Sequence, residues 1–82
     1  MNISRHAHQR LIERVSTRDR AEPVVFLTYL WLRGRPAIAD DFYNFNCRQL
    51  PGREYRICTH KRDLYLVVFD PVKQTFVTLW KK

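Results

Sequence analysis

Three runs near the C-terminal end of the chain are built from β-branched and aromatic residues: 54–59 (EYRICT), 64–69 (LYLVVF) and 75–80 (TFVTLW). Val, Ile, Tyr, Phe and Thr fit a pleated, half-buried surface, so each run predicts a strand. The connections, His60-Lys61-Arg62-Asp63 and Asp70-Pro71-Val72-Lys73, are too short for a crossover, which makes the three strands an antiparallel meander. In the second, proline presets a turn dihedral and aspartate can bond the turn backbone. The middle run is apolar on both alternating sets, Leu64/Leu66/Val68 and Tyr65/Val67/Phe69, and so predicts a central strand covered on both faces. The first run sets Tyr55/Ile57/Thr59 against Arg56/Cys58/His60, which predicts a sheet with one polar, cationic border.

Upstream the period changes. Residues 3–15 (ISRHAHQRLIERV) place Ile3, Ala7, Leu11, Val15 and Ile12 on one face at 100° per residue, with Arg5, Gln9 and Glu13 opposite, which predicts an amphipathic helix. His6, Arg10 and Arg14 follow one another at i, i+4 and form a stripe along the apolar edge. His8 falls inside the apolar arc and reads as a core or boundary histidine satisfied locally. Residues 16–19 read as a turn, with Asp19 and Glu22 resembling a capping box and Pro23 tolerated in the first helical turn. A second helix follows over about 20–33, although VVFLTYLWL also fits a buried strand. Gly34 ends it. Residues 36–52 permit either a short helix through Ile38, Phe42 and Phe45 or a long ordered loop.

The chain has 82 residues, 45% hydrophobic and 13% aromatic, enough for one domain over 1–82 with a modest core. Fifteen Lys and Arg against eight Asp and Glu give a formal charge of +7. Most of that excess is arginine, whose planar fork of donors suits phosphate, so nucleic acid is the first partner to consider. An acidic protein, such as an antitoxin or a host target, fits the charge equally, and a merely solvated basic surface is a third reading. The opening residues contain no apolar signal region, and the apolar run at 24–32 is far short of a membrane span. A cytoplasmic protein with no membrane partner is therefore expected, with Cys47 and Cys58 as reduced thiols.

The candidate chemistry narrows in the same way. Cys47, Cys58 and His60, with His6 or His8, have no spacing of a closed zinc site, so no metal is expected. Asp40-Asp41 read as a solvated acidic loop. With two glycines in the chain there is no phosphate-cradling loop, and no cofactor is expected. What remains is cationic: His6, Arg10 and Arg14 on the first helix, Arg53 and Arg56 at the first strand, and His60, Lys61 and Arg62 at the first hairpin. Metal-free RNA cleavage needs one group to take the 2′-hydroxyl proton, one to protonate the leaving 5′-oxygen, and cations for the charge building on phosphate. Histidine and arginine are the types required. A basic binding surface without chemistry uses the same residues.

The segment Ser4-Arg5-His6-Ala7-His8-Gln9-Arg10-Leu11-Ile12-Glu13-Arg14 resembles the S-x-H-A-x-x-R-x-x-E-R opening of a family of small prokaryotic and phage domains of unknown function. That family looks like a relative of the RelE, ParE and BrnT toxins, within the group that includes barnase, EndoU and colicin nucleases. The ending, residues 63–80 with Phe76-Val77-Thr78-Leu79-Trp80, is similar to the family's last hairpin. The resemblance covers about the first sixteen and last thirty residues. It implies a RelE-like α+β fold, with N-terminal helices packed on a curved antiparallel sheet, His6, Arg10 and Arg14 facing that sheet, and Thr78 lining the same cleft. The expectation is a toxin-like RNA-binding domain acting as a metal-independent endoribonuclease that leaves a cyclic phosphate. His6 and His60 would move protons, Arg10, Arg14 and Thr78 would complete the catalytic set, and Arg53, Arg56, Lys61 and Arg62 would bind RNA. The alternative is a non-catalytic phage or host inhibitor or adaptor gripping an acidic protein or nucleic acid. The family pattern has no counterpart of residues 40–47, which would serve specificity or partner docking.

Overall fold

The computed structural model describes residues 1–15 and 22–82. It is an α+β fold in which β4 (Asp63–Asp70) stands at the centre of a five-stranded sheet. Its neighbours are β3 (Glu54–His60) and β5 (Thr75–Lys81), both antiparallel to it. The expected meander is therefore present, in the expected order. Outside it lie two short strands: β1 (Asn2–Ile3) pairs with β5 in parallel, and β2 (Arg35–Pro36) pairs with β3 antiparallel, making the sheet mixed. Pro36 has no N–H to donate, which suits its place at the sheet edge.

The alternation along β4 divides the core into two. Tyr65, Val67 and Phe69 point to one side, where they meet Leu11 and Val15 of the first helical segment and Phe26, Leu27, Leu30 and Trp31 of the second. Leu66 and Val68 point to the other side and pack with Tyr55, Ile57 and Phe45, with Phe42, Cys47 and Trp80 around them. A strand apolar on both sets is thus a strand between two layers.

Helix α1 (Arg5–Arg14) starts two residues later than the periodicity predicts. Ser4 is the reason: in an extended conformation, its hydroxyl accepts a 3.0 Å bond from the Ala7 amide, which caps the helix and releases residues 2–3 to pair with β5. The buried row, Ala7, Leu11 and Val15, is narrower than the projected arc. Ile12 is half exposed and His8 is exposed, contrary to the core role expected for His8. The physical cause is that α1 lies against β5, near the edge of the sheet, and buries a single ridge.

Helix α2 (Pro23–Arg33) settles the ambiguous apolar stretch as helical, with Pro23 in its first turn and Gly34 as its C-cap. Gly34 permits a close approach: a Cβ there would lie 2.9 Å from the Ile57 carbonyl oxygen and 3.0 Å from that of Leu30. The turn at 16–19, including Asp19 of the expected capping box, lies outside the described residues.

Within 36–52, helix α3 (Ala39–Asn44) forms, followed by an ordered loop. At its start the Asp41 carboxylate accepts the Ile38 amide at 2.8 Å and two bonds from Arg35 at 2.8 and 3.1 Å. Asp41 is thus a buried, paired group rather than a solvated loop acid. At its end Asn46 sits at φ 50°, Cys47 N–H bonds the Phe42 carbonyl and Asn46 N–H that of Tyr43, which is a Schellman closure with asparagine in glycine's usual place.

Candidate nucleic-acid interface

Each cation singled out from the sequence has a definite position, and several are occupied. Arg53 donates to Asp70 at 2.6 Å, and Asp70 also accepts the Val72 and Lys73 amides, so the pair locks the β4–β5 turn. The Lys73 amide first, then that of Val72 and the Arg53 charge, hold the Asp70 carboxyl below its usual range against the opposing effect of burial. Arg56 donates to the Trp31 carbonyl at 2.8 Å with its guanidinium 4.5 Å from the Trp31 ring centroid, and so caps the end of α2. The strand face Arg56/Cys58/His60, expected as a basic border, lies under α2. Cys58 is buried in the core, and its thiol pKa is pushed up by that burial.

Arg14 reaches the sheet as expected, but as a structural group. Its Nη1 donates to the Leu79 carbonyl at 2.9 Å and its guanidinium lies 4.8 Å from the Trp80 ring. Ser4 Oγ donates to the Val77 carbonyl at 2.8 Å, so two side chains from the α1 segment satisfy the edge that β1 leaves open. Arg10 pairs with Glu13 at 2.8 Å on the helix surface. His6 is exposed. Thr78 stands opposite Val68, whose side chain belongs to the core on the α3 side of the sheet. Its Oγ1 is buried and has no hydrogen-bond partner among the described residues.

His60 and His6 lie at opposite ends of the sheet. Ser4 bonds Phe76, Phe76 pairs with Phe69, and Phe69 with Glu54, whereas His60 pairs with Asp63 at the far end of the same two strands. Six steps along a strand span about 20 Å. Two imidazoles so placed cannot flank one phosphate, and the structure does not bring the expected catalytic set together.

The end of the sheet that carries His60 is where cations converge. A two-residue turn joins β3 to β4, with Lys61 and Arg62 at φ 48° and 71°, both in the left-handed region that a type I′ hairpin requires. Both side chains are exposed. The antiparallel return of β5 brings Lys81 opposite Tyr65 and Lys82 opposite Leu64, beside the turn. Lys81 meets Asp63 at 3.5 Å, and Lys82 Nζ donates to the Asn44 carbonyl at 2.9 Å. His60 packs edge-on against Phe26 and Tyr29, at 5.4 and 5.6 Å between centroids, and Arg33 lies 5.3 Å from the Tyr29 ring. Lys81 and Lys82 were missed in the sequence reading. The two short connections could have found them, since a meander returns its last residues to its first turn.

Beside this rim, on the α3 side, runs an open groove of about 660 Å³ lined by Phe42, Tyr43, Asn44, Asn46, Cys47, Arg48 and Lys82. A smaller groove of about 280 Å³ is lined by Phe42, Tyr55, Arg53 and Arg56 among others, the two guanidiniums being engaged elsewhere. Among the described residues no three of His, Cys, Asp and Glu gather as a metal site, and no helix is long and apolar enough to cross a membrane. No protein-family model, curated protein or solved structure matches the chain.

Proposed function

We propose that this is a RelE-like, toxin-type domain that binds single-stranded RNA through the basic rim formed by Lys61, Arg62, Lys81 and Lys82. The observation that carries the reading is that the Lys61–Arg62 turn and the Lys81–Lys82 end of β5 lie side by side at one end of the sheet, Lys81 toward Asp63 and Lys82 toward α3. Four cations gathered at one end of a sheet give a phosphate backbone several points of contact, and such contacts release counterions. The toxin-type part of the reading rests on the opening motif, whose Ser4 caps a helix laid on the last strand.

Binding is measured by fluorescence anisotropy of a labelled single-stranded RNA over a salt series. Affinity falls log-linearly with salt, each phosphate contact contributing about 0.7 to the slope. A flat dependence, or no binding at low salt, would transfer the proposal to an acidic protein partner such as an antitoxin or host target.

A second reading, metal-independent cleavage, is favoured by the position of His60. Its imidazole is held by two aromatic rings at the root of the Lys61–Arg62 turn, and an imidazole is a group able to take up and return a proton. Cleavage would persist in chelator, leave a 2′,3′-cyclic phosphate and fall in the His60→Gln variant.

A further inference from the structure

We infer that the groove between α3 and the end of β5 is a base-binding subsite, which takes one unstacked nucleobase of the RNA whose backbone lies on the basic rim. This deepens the proposed function and rests on it. Three features carry the inference.

The first is Tyr43, which is 86% exposed. A tyrosine so exposed contributes little to the core, and one of its neighbours in the groove wall is Phe42, itself held edge-on to Tyr55 at 4.9 Å between centroids. With Phe42 fixed in the wall, the exposed Tyr43 ring is the face left for stacking, and every base has a face to stack.

The second is the amide pair. Asn44 ends α3 and Asn46 occupies the left-handed position of the Schellman closure, so the backbone of both is fixed by the bonds from Asn46 to Tyr43 and from Cys47 to Phe42. An amide offers a donor and an acceptor side by side, the chemistry needed to pair with the edge of a base.

The third is charge. Arg48 and Lys82 stand in the groove wall, and Lys82 is tied at once to α3, through the Asn44 carbonyl, and to β4, through two backbone bonds with Leu64. Lys82 therefore belongs to both the rim and the groove. A phosphate on the rim places the attached nucleoside within the groove's reach.

The wall is the C-terminal end of α3, whose Phe42, Tyr43 and Asn44 carbonyls are already taken by the Cys47 and Asn46 amides and by Lys82. The division of labour follows from the three features: base on Tyr43, phosphate toward Arg48 and Lys82. The volume lies within the range of clefts that hold small molecules, about 300 to 1,000 Å³.

The experiment uses the full chain with three probes: a short single-stranded RNA, the same RNA with an abasic sugar at each position in turn, and the four nucleoside 5′-monophosphates. Tyr43→Ala, at a position that exposed, keeps the fold and weakens RNA binding roughly ten- to a hundredfold. It leaves the salt slope unchanged, whereas Lys61→Ala with Arg62→Ala lowers the slope. At least one abasic position reproduces the loss in wild type and adds nothing in the Tyr43→Ala variant. In wild type, nucleotide titration shifts the NMR signals of the Tyr43 ring and of the Asn44 and Asn46 side-chain amides. If wild type binds RNA but Tyr43→Ala and every abasic probe bind equally well, the subsite is overturned and rim binding stands. If wild type binds neither RNA nor nucleotide, both fall. A duplex bound as tightly as the single strand would also overturn the subsite, since a paired base cannot enter it.

Discussion

Arg14 shows how one residue can look catalytic and act as structure. Its spacing from His6 and Arg10 suggested a stripe of phosphate ligands, but its guanidinium is divided between the Leu79 carbonyl and the Trp80 ring. A charged donor on an otherwise open edge carbonyl contributes about 1.5 kcal/mol, and the ring contact roughly 0.5 kcal/mol more at a half-exposed site. Arg14→Ala should therefore lower stability by about 2 kcal/mol in urea denaturation. Arg14→Lys should recover part of the loss, because an ammonium can make the bond but cannot also lie flat on the indole. Asp41 makes the converse point. The two bonds from Arg35 first, and the Ile38 amide after burial's opposing effect, hold its carboxyl below the usual value. Its contribution is present above the unfolded carboxylate's pKa of about 3.9 and is lost as pH falls through the lower folded value. Asp41→Asn should thus be less stable at pH 7 and show a smaller further drop on going to acid than wild type, with Asp70 supplying the drop that remains.

At the scale of elements, β4 is where the sequence speaks most clearly. Both of its alternating sets are apolar, and both are buried, one under α1 and α2 and one under α3. Leu66 is fully buried at the centre of the second layer, so Leu66→Ala should cost about 2 to 5 kcal/mol, read as a shifted denaturation midpoint at constant slope. The neighbouring strand was harder to read. Arg56, Cys58 and His60 alternate as a polar face would, yet α2 covers them, because Arg56 spends its charge on the Trp31 carbonyl and His60 presents its ring to Phe26 and Tyr29. Alternation in a strand says which residues share a face, not which element lies on that face. Arg53 was opaque for a similar reason, since its partner Asp70 is 17 residues away and becomes a neighbour only once the register is known. The ambiguous segment after Gly34 is helical for one turn and a half because Asp41 can cap it and Asn46 can close it, with Arg35, six residues before Asp41, holding the capping carboxylate.

For the whole molecule, the separation of the two histidines decides what chemistry is open to it. The register of β3, β4 and β5 puts His6 near the Phe76 end and His60 near the Asp63 end, about six strand residues apart. A shared acid–base pair would make the single variants nearly as damaging as the double, since either loss stops the same reaction. With the histidines at opposite ends, His6→Ala should leave RNA binding and any cleavage unchanged, while His60→Gln alone should lower cleavage. Replacing Lys61 and Arg62 together should lower the salt slope by about 1.4, two contacts' worth on a single strand, while replacing Arg53 or Arg56 should reduce stability without changing that slope. The pairing of the two assays is what discriminates. If Arg53→Ala or Arg56→Ala changed the slope while the folded state kept its stability, the arginines would be facing RNA rather than Asp70 and Trp31. If Lys61 and Arg62 could be removed with no change in slope, the basic end of the sheet would be a solvated surface and the phosphate path would lie elsewhere.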